Sequence, residues 1–155
     1  MMIEDQGDSG LVVHLTTEFR APRDKIWRTW VEPELLSRWF MAAPGYLPAE
    51  AEVTLDELGP WKITVRHSQT PDEPSILQGH FFKIVPNESL VYSWGGNVNG
   101  GQYPTLVNVK FEDAGEGSRI ILTQGIFETE EHRIDPERGW EVCIGCLHEL
   151  LAKDI

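Results

Sequence analysis

Residues 130–152, EEHRIDPERGWEVCIGCLHELLA, constrain the fold of this chain more than any other stretch. At about 100° per residue, Trp140, Cys143, Ile144, Leu147, Leu150 and Leu151 fall on one stripe, with Glu137, Glu141, Glu149 and Lys153 on or beyond its margins. The spacing predicts an amphipathic helix ~30 Å long at about 1.5 Å per residue. Such a stripe must be buried, so the rest of the chain has to supply a surface of similar length.

The preceding residues read as that surface. LVVHLTTEF alternates Val13, Leu15, Thr17 and Phe19 against His14, Thr16 and Glu18 in strand fashion, while residues 1–10 lack apolar pattern and are expected to form a loose tail. Ala21-Pro22 breaks the strand, and Pro22 is placed to open a helix in which Ile26, Trp27 and Trp30 share a face. Pro33 ends that helix, and a second short one to about Phe40 presents Leu36, Trp39 and Phe40.

From about Ala49 the period becomes that of strands: AEVTLDE, WKITVRH, SILQGHFFKIV, SLVYSW, TLVNVKFED and SRIILTQGIF. Gly59-Pro60, residues 70–74, Pro86-Asn87, residues 95–101 and residues 114–117 supply the turns between them. Short turns make an antiparallel meander with one covered face. That face is assigned Trp61, Ile63, Val65, Leu90, Tyr92, Trp94, Val107, Val109, Phe111, Ile120, Leu122 and Gln124. His80, Phe82 and Ile84 are placed there too, on the outward parity of Lys83. The expected architecture is α+β: a seven-stranded curved antiparallel sheet wrapped around the long C-terminal helix, with two short helices between strands 1 and 2. Residues 11–155 are read as a single domain.

The order strand, two helices, six strands, long helix resembles the helix-grip fold of the START-like, or SRPBCC, superfamily. FRAPRDKIWRTWVEPELLSRWF, GHFFKIVPNESLVYSW, TLVNVKFEDAGEGSRIILTQGIF and GWEVCIGCLHELLA are similar to segments of its family of homologues of the activator of heat-shock protein 90 ATPase. The resemblance covers roughly residues 11–152 and implies the helix-grip fold, with a cleft between sheet and helix. Many members of that family carry histidine where this chain has Gln124. The resemblance also implies alternative functions: a stress-response module that binds a chaperone, or an enzyme of cyclase or hydrolase type using the same cleft.

Charge narrows the partners. With 25 Asp and Glu against 13 Lys and Arg, the net charge of -12 repels nucleic-acid phosphates and anionic membranes, so neither is an expected partner. No apolar run approaches the ~20 residues of a membrane span, and the acidic start MMIEDQGDSG is unlike a secretory signal, so a cytoplasmic protein is expected. Two cysteines make no disulfide framework.

Motifs of chemistry are weak. Cys143-Ile144-Gly145-Cys146 is a CxxC, but inside a helix the backbone amides are already bonded and cannot favour a thiolate, and with His148 it falls short of four zinc ligands. No metal or cofactor is expected. The glycine-rich stretch 95–101 precedes a strand, so it reads as a flexible hairpin loop, able to act as a lid, and not as a phosphate cradle. The five histidines neighbour no serine elbow, and no residue is assigned as catalytic.

The aromatic inventory of six Trp, six Phe and three Tyr carries the functional expectation, because rigid aromatic walls with a few polar groups describe a small-molecule pocket. The candidate cavity residues are Trp39, Phe40, Tyr46, Trp61, His80, Tyr92, Trp94, Gln124, Trp140, Ile144 and Leu147, and the expected ligand is an apolar or amphipathic small molecule. Val142 with Cys146 is an apolar margin of the last helix, so either a monomer or a homodimer fits.

Overall fold

The structure is a computed structural model in which residues 11–96 and 104–153 are described. The tail expected over residues 1–10 and the tip of the glycine-rich loop, residues 97–101, lie outside them. The elements in chain order are β1 (Val13–Phe19), α1 (Arg23–Val31), α2 (Pro33–Trp39), β2 (Glu50–Val53), β3 (Pro60–Val65), β4 (Ser75–Val85), β5 (Ser89–Gly96), β6 (Thr105–Ala114), β7 (Gly117–Gly125) and α3 (Glu130–Leu151).

The strands form one antiparallel sheet in the order β1-β7-β6-β5-β4-β3-β2. Consecutive strands from β2 to β7 are neighbours because their turns are short. Asn87 shows why: at φ 65° it takes the left-handed position after Pro86 that this tight turn requires, and Glu88 N–H closes on Val85 O at 2.9 Å. β1 and β2 occupy opposite edges, so α1 and α2 carry the chain from one side of the sheet to the other.

Alternation places one face of each strand against the helices. Trp61, Ile63, Val65, Leu90, Tyr92, Val107, Val109, Phe111, Ile120, Leu122 and Gln124 are buried there, with Trp94 partly so. The α3 stripe meets them with Trp140, Cys143, Ile144, Leu147 and Leu150. The seven-stranded α+β helix-grip architecture expected from the pattern is the one observed.

Two strand readings are corrected. AEVTLDE is a strand only to Val53, because the chain then turns back: Thr54 N–H bonds Pro60 O, and Leu58, at φ 63°, donates its N–H to Phe81 O. In β4, Phe81 is buried while His80, Phe82 and Lys83 are exposed. A bulge between Phe81 and Lys83 inserts one residue, so that Phe81 pairs with Tyr92 but Lys83 with Val91. Parity therefore inverts at the bulge: Lys83 reports correctly on Ile84, which packs against the core, but not on the residues before it.

Both ends of α3 are tied down. The Thr129 hydroxyl accepts the His132 N–H at 3.1 Å, and Glu130 and Glu131 sit in the first turn, where the helix dipole favours negative charge. Near the other end the His148 ring stacks on Phe19 at 4.3 Å and its Nε2 lies 3.0 Å from Thr17 Oγ1, fastening the helix to edge strand β1.

Two outcomes follow. Leu147, with no exposed surface, should lose about 2–5 kcal/mol on Leu147→Ala, read by denaturant unfolding, because the sheet beneath it cannot collapse into the gap. Burial lowers the His148 pKa from its usual 6.5. The unfolded chain then binds the proton more readily, so the contribution of this group is complete above pH 6.5 and is lost as the pH falls toward its folded value. Melting temperature should decline on acidification from pH 7 to 5, and His148→Gln should flatten part of that decline.

Candidate functional site

A cleft of about 210 Å³ opens between the N-terminal half of α3 and the sheet. The sheet contributes Val65, Ser75, Leu77, Trp94 and Gln124, the chain after α2 contributes Phe40, Met41 and Tyr46, and α3 contributes Asp135, Pro136, Gly139, Trp140 and Cys143. Its origin lies in the helix sequence. Gly139 faces the space without a side chain, and a Cβ built there meets nothing within 4 Å. One turn earlier stands Pro136, which has no N–H to give to the helical ladder. Together they leave a gap where a large apolar pair would have packed.

The inner walls are held rigidly. Trp140 lies 5.4 Å from Trp94 between ring centroids, and Trp94 lies 5.8 Å from Phe40 and 5.4 Å from Trp61. Indole N–H groups are donors only, and four of them reach acceptors: Trp30 to Tyr92 Oη at 3.1 Å, Trp39 to Thr29 O at 2.8 Å, Trp61 to Ser93 O at 3.0 Å, and Trp140 to Gln124 Oε1 at 2.7 Å. Buried rings pinned at both body and tip cannot rotate into the cleft to fill it.

Gln124 is 1 % exposed and carries the polar chemistry of the floor. Because Trp140 can only donate, the amide must turn its oxygen to the indole. Its nitrogen then faces Thr105 Oγ1, to which it donates at 2.9 Å. The amide is neutral and engaged on both sides. The other polar lining groups, Tyr46, Ser75 and Asp135, are partly or largely exposed, so polarity is concentrated at the mouth and the interior is apolar.

Of the eleven residues expected around a cavity, Phe40, Tyr46, Trp94, Gln124 and Trp140 line this cleft. Trp39, Trp61 and Tyr92 lie behind it, around a recess of about 20 Å³ that shares the Phe40, Trp94 and Trp140 rings. Ile144 and Leu147 are buried farther along α3 and line neither space. His80 does not join them: the β4 bulge leaves it on the outer face of the sheet, in a shallow groove with Glu52, Lys62 and Gln78. Sequence reasoning passed over Asp135, Pro136 and Gly139, although two poor helix formers one turn apart in the first half of α3 were the visible sign of a gap.

The description "Activator of Hsp90 ATPase homolog 1-like protein" matches residues 20–152. The chain belongs to this family. Among solved structures, a protein of Chromobacterium violaceum superposes with a TM-score of 0.80 at 18% identity, covering 93% of this chain and 99% of its own. The AHSA1 protein of Silicibacter pomeroyi does so with a TM-score of 0.78 at 19% identity, covering 91% and 97%. CalU16 of Micromonospora echinospora reaches a TM-score of 0.68 at 20% identity, covering 90% and 75%. These likenesses show that the fold is shared. A comparison with curated proteins finds no match.

In this member of the activator-homologue family the CxxC has a packing role. Met41, at φ 49°, donates its N–H to Cys143 Sγ at 3.3 Å, and the Cys143 thiol lies 3.5 Å from Met41 Sδ. Burial pushes the Cys143 pKa up to about 12, against the Met41 N–H, which lowers it. Burial also raises that of Cys146, against the backbone N–H of Ala42. The two thiols thus accept from the corner that turns the chain out of α2 and onto the cleft. Among the described residues no group of three or more His, Cys, Asp or Glu is placed to hold a metal ion, and no helix is long and apolar enough to cross a membrane.

Gln124→Leu, close in volume, should leave the Trp140 N–H and Thr105 hydroxyl without their partner and cost about 1–3 kcal/mol in denaturant unfolding.

Proposed function

We propose that this protein is a binding domain for a small, largely apolar molecule held between α3 and the sheet. The observation that carries the reading is Gly139: a helix position facing a space that any larger side chain would enter. A helical glycine whose missing side chain leaves open space costs stability, ~1 kcal/mol relative to alanine, so the space is maintained at a thermodynamic loss.

The volume fits the proposal. Apolar cavities of ~150 Å³ take up benzene, so about 210 Å³ suits a molecule of one ring with a short chain. Aromatic walls supply contact area at little conformational cost, and the apolar interior with a polar mouth suits an amphipathic ligand whose polar end stays near water. Binding is favoured over covalent chemistry by the state of the one interior thiol, since Cys143, with its pKa near 12, is neutral at physiological pH and a poor nucleophile.

Gly139→Leu separates a binding space from a packing flaw. The variant should melt at or above the temperature of the parent protein, because leucine is the better helix former and fills the gap, while uptake of 4-phenylbutanol, followed by tryptophan fluorescence and calorimetry, should fall at least tenfold. Unchanged uptake would place the ligand elsewhere and remove the proposal.

A further inference from the structure

The charge at the cleft is one-sided. Among its described lining residues Asp135 is the only one with a formal charge, standing beside Pro136 at the mouth. All 13 Lys and Arg belong to residues 11–96 and 104–153, and none lines the cleft. Arg66, just past the end of β3 and next in sequence to the cleft residue Val65, pairs with Glu50 at 3.7 Å and donates to Pro71 O at 2.9 Å.

The polar groups repeat this bias. An anionic ligand needs donors, yet the Trp140 N–H is given to Gln124 and one of the two Gln124 amide hydrogens to Thr105, leaving the second amide hydrogen of a residue 1 % exposed on the floor and the Tyr46 and Ser75 hydroxyls. A cationic ligand finds the Asp135 carboxylate and rings of Trp94, Trp140, Phe40 and Tyr46, whose negative faces attract a cation. Resting on the binding reading above, we propose that the cleft selects organic cations: an apolar body, seated among the tryptophans, that bears an ammonium group held at the mouth by Asp135. Carboxylate-headed molecules of the same shape, fatty acids included, are the disfavoured class.

Three probes with one hydrocarbon skeleton test this on the full chain: 4-phenylbutylammonium, 4-phenylbutanol and 4-phenylbutanoate, titrated at pH 7 by calorimetry with tryptophan fluorescence in parallel. The expected order is ammonium about fivefold tighter than alcohol and carboxylate at least fivefold weaker, a modest ratio because the carboxylate is solvent-screened. The overall charge of -12 would attract any cation, so the decisive variant is Asp135→Asn, which removes one charge of many. Its ammonium-to-alcohol ratio should drop toward one, whereas general attraction to an acidic surface would leave the ratio standing and overturn the assignment. Asp135→Lys should invert the order of ammonium and carboxylate. Alcohol binding with equal or tighter carboxylate binding would overturn cation selection while keeping the cleft as a binding site, and no binding by any probe would overturn both.

Discussion

An indole N–H can only donate, and Trp140 brings one into the space between α3 and the sheet, where losing it unpaired would cost about 1–3 kcal/mol. Gln124 is its answer, 2.7 Å away near the C-terminal end of β7. That hydrogen bond fixes the rotation of α3 about its axis, and the rotation decides which residues the helix presents. Cys143, Ile144 and Leu147 turn into the core, and Gly139 faces an empty volume. It also holds the Trp140 ring against Trp94, so one contact sets both the seating of the helix and the inner wall of the cleft. Trp30, Trp39 and Trp61 repeat the device on the short helices and the sheet, each with its indole tip bound and its ring buried.

How far the sequence could be read follows from what the pattern encodes. Periodicity reports burial, and burial determines the long helix, the sheet and the plug of short helices, so these were legible. The bulge in β4 was not. SILQGHFFKIV carries large apolar residues on both faces, and its one charged marker, Lys83, lies on the far side of the inserted residue from His80. Gly79 was the local clue: a Cβ there would come within 2.0 Å of Ser93 O, so β4 and β5 approach more closely than side chains allow. The candidate site was legible in part for the same reason. Large aromatic residues announce an interior without saying which of them enclose a void. Voids are made by absent atoms, and a stripe of apolar letters gives no weight to Gly139 or Pro136.

The same accounting explains why the sulfur atoms suggested more than they do. Cys143 and Cys146 stand one helical turn apart, a spacing shared with redox pairs, but the chemistry of such a pair depends on a stabilised thiolate. Here burial raises both pKa values, and the electron pairs that could serve a metal or an electrophile accept hydrogen bonds from the corner after α2. Met41 at φ 49° needs such an acceptor, because a left-handed turn breaks the helical bonding that would have satisfied its N–H. The motif is thus consumed by the turn that delivers Met41 and, farther along, Tyr46 to the cleft.

Stability and binding draw on the same few residues of α3. A better helix would replace Pro136 and Gly139 with residues that keep the ladder and fill the gap, and nothing around Gly139 forbids a side chain. The sheet meanwhile is packed without such concessions, with Val107, Val109, Ile120 and Leu122 wholly buried. Concessions confined to one face of one helix, opposite rigid aromatic walls and beside a single carboxylate, are what a fold shows when space at that place matters more than packing. In this protein the closing helix grips the sheet with its second half, from Cys143 onward, and holds it at a distance with its first.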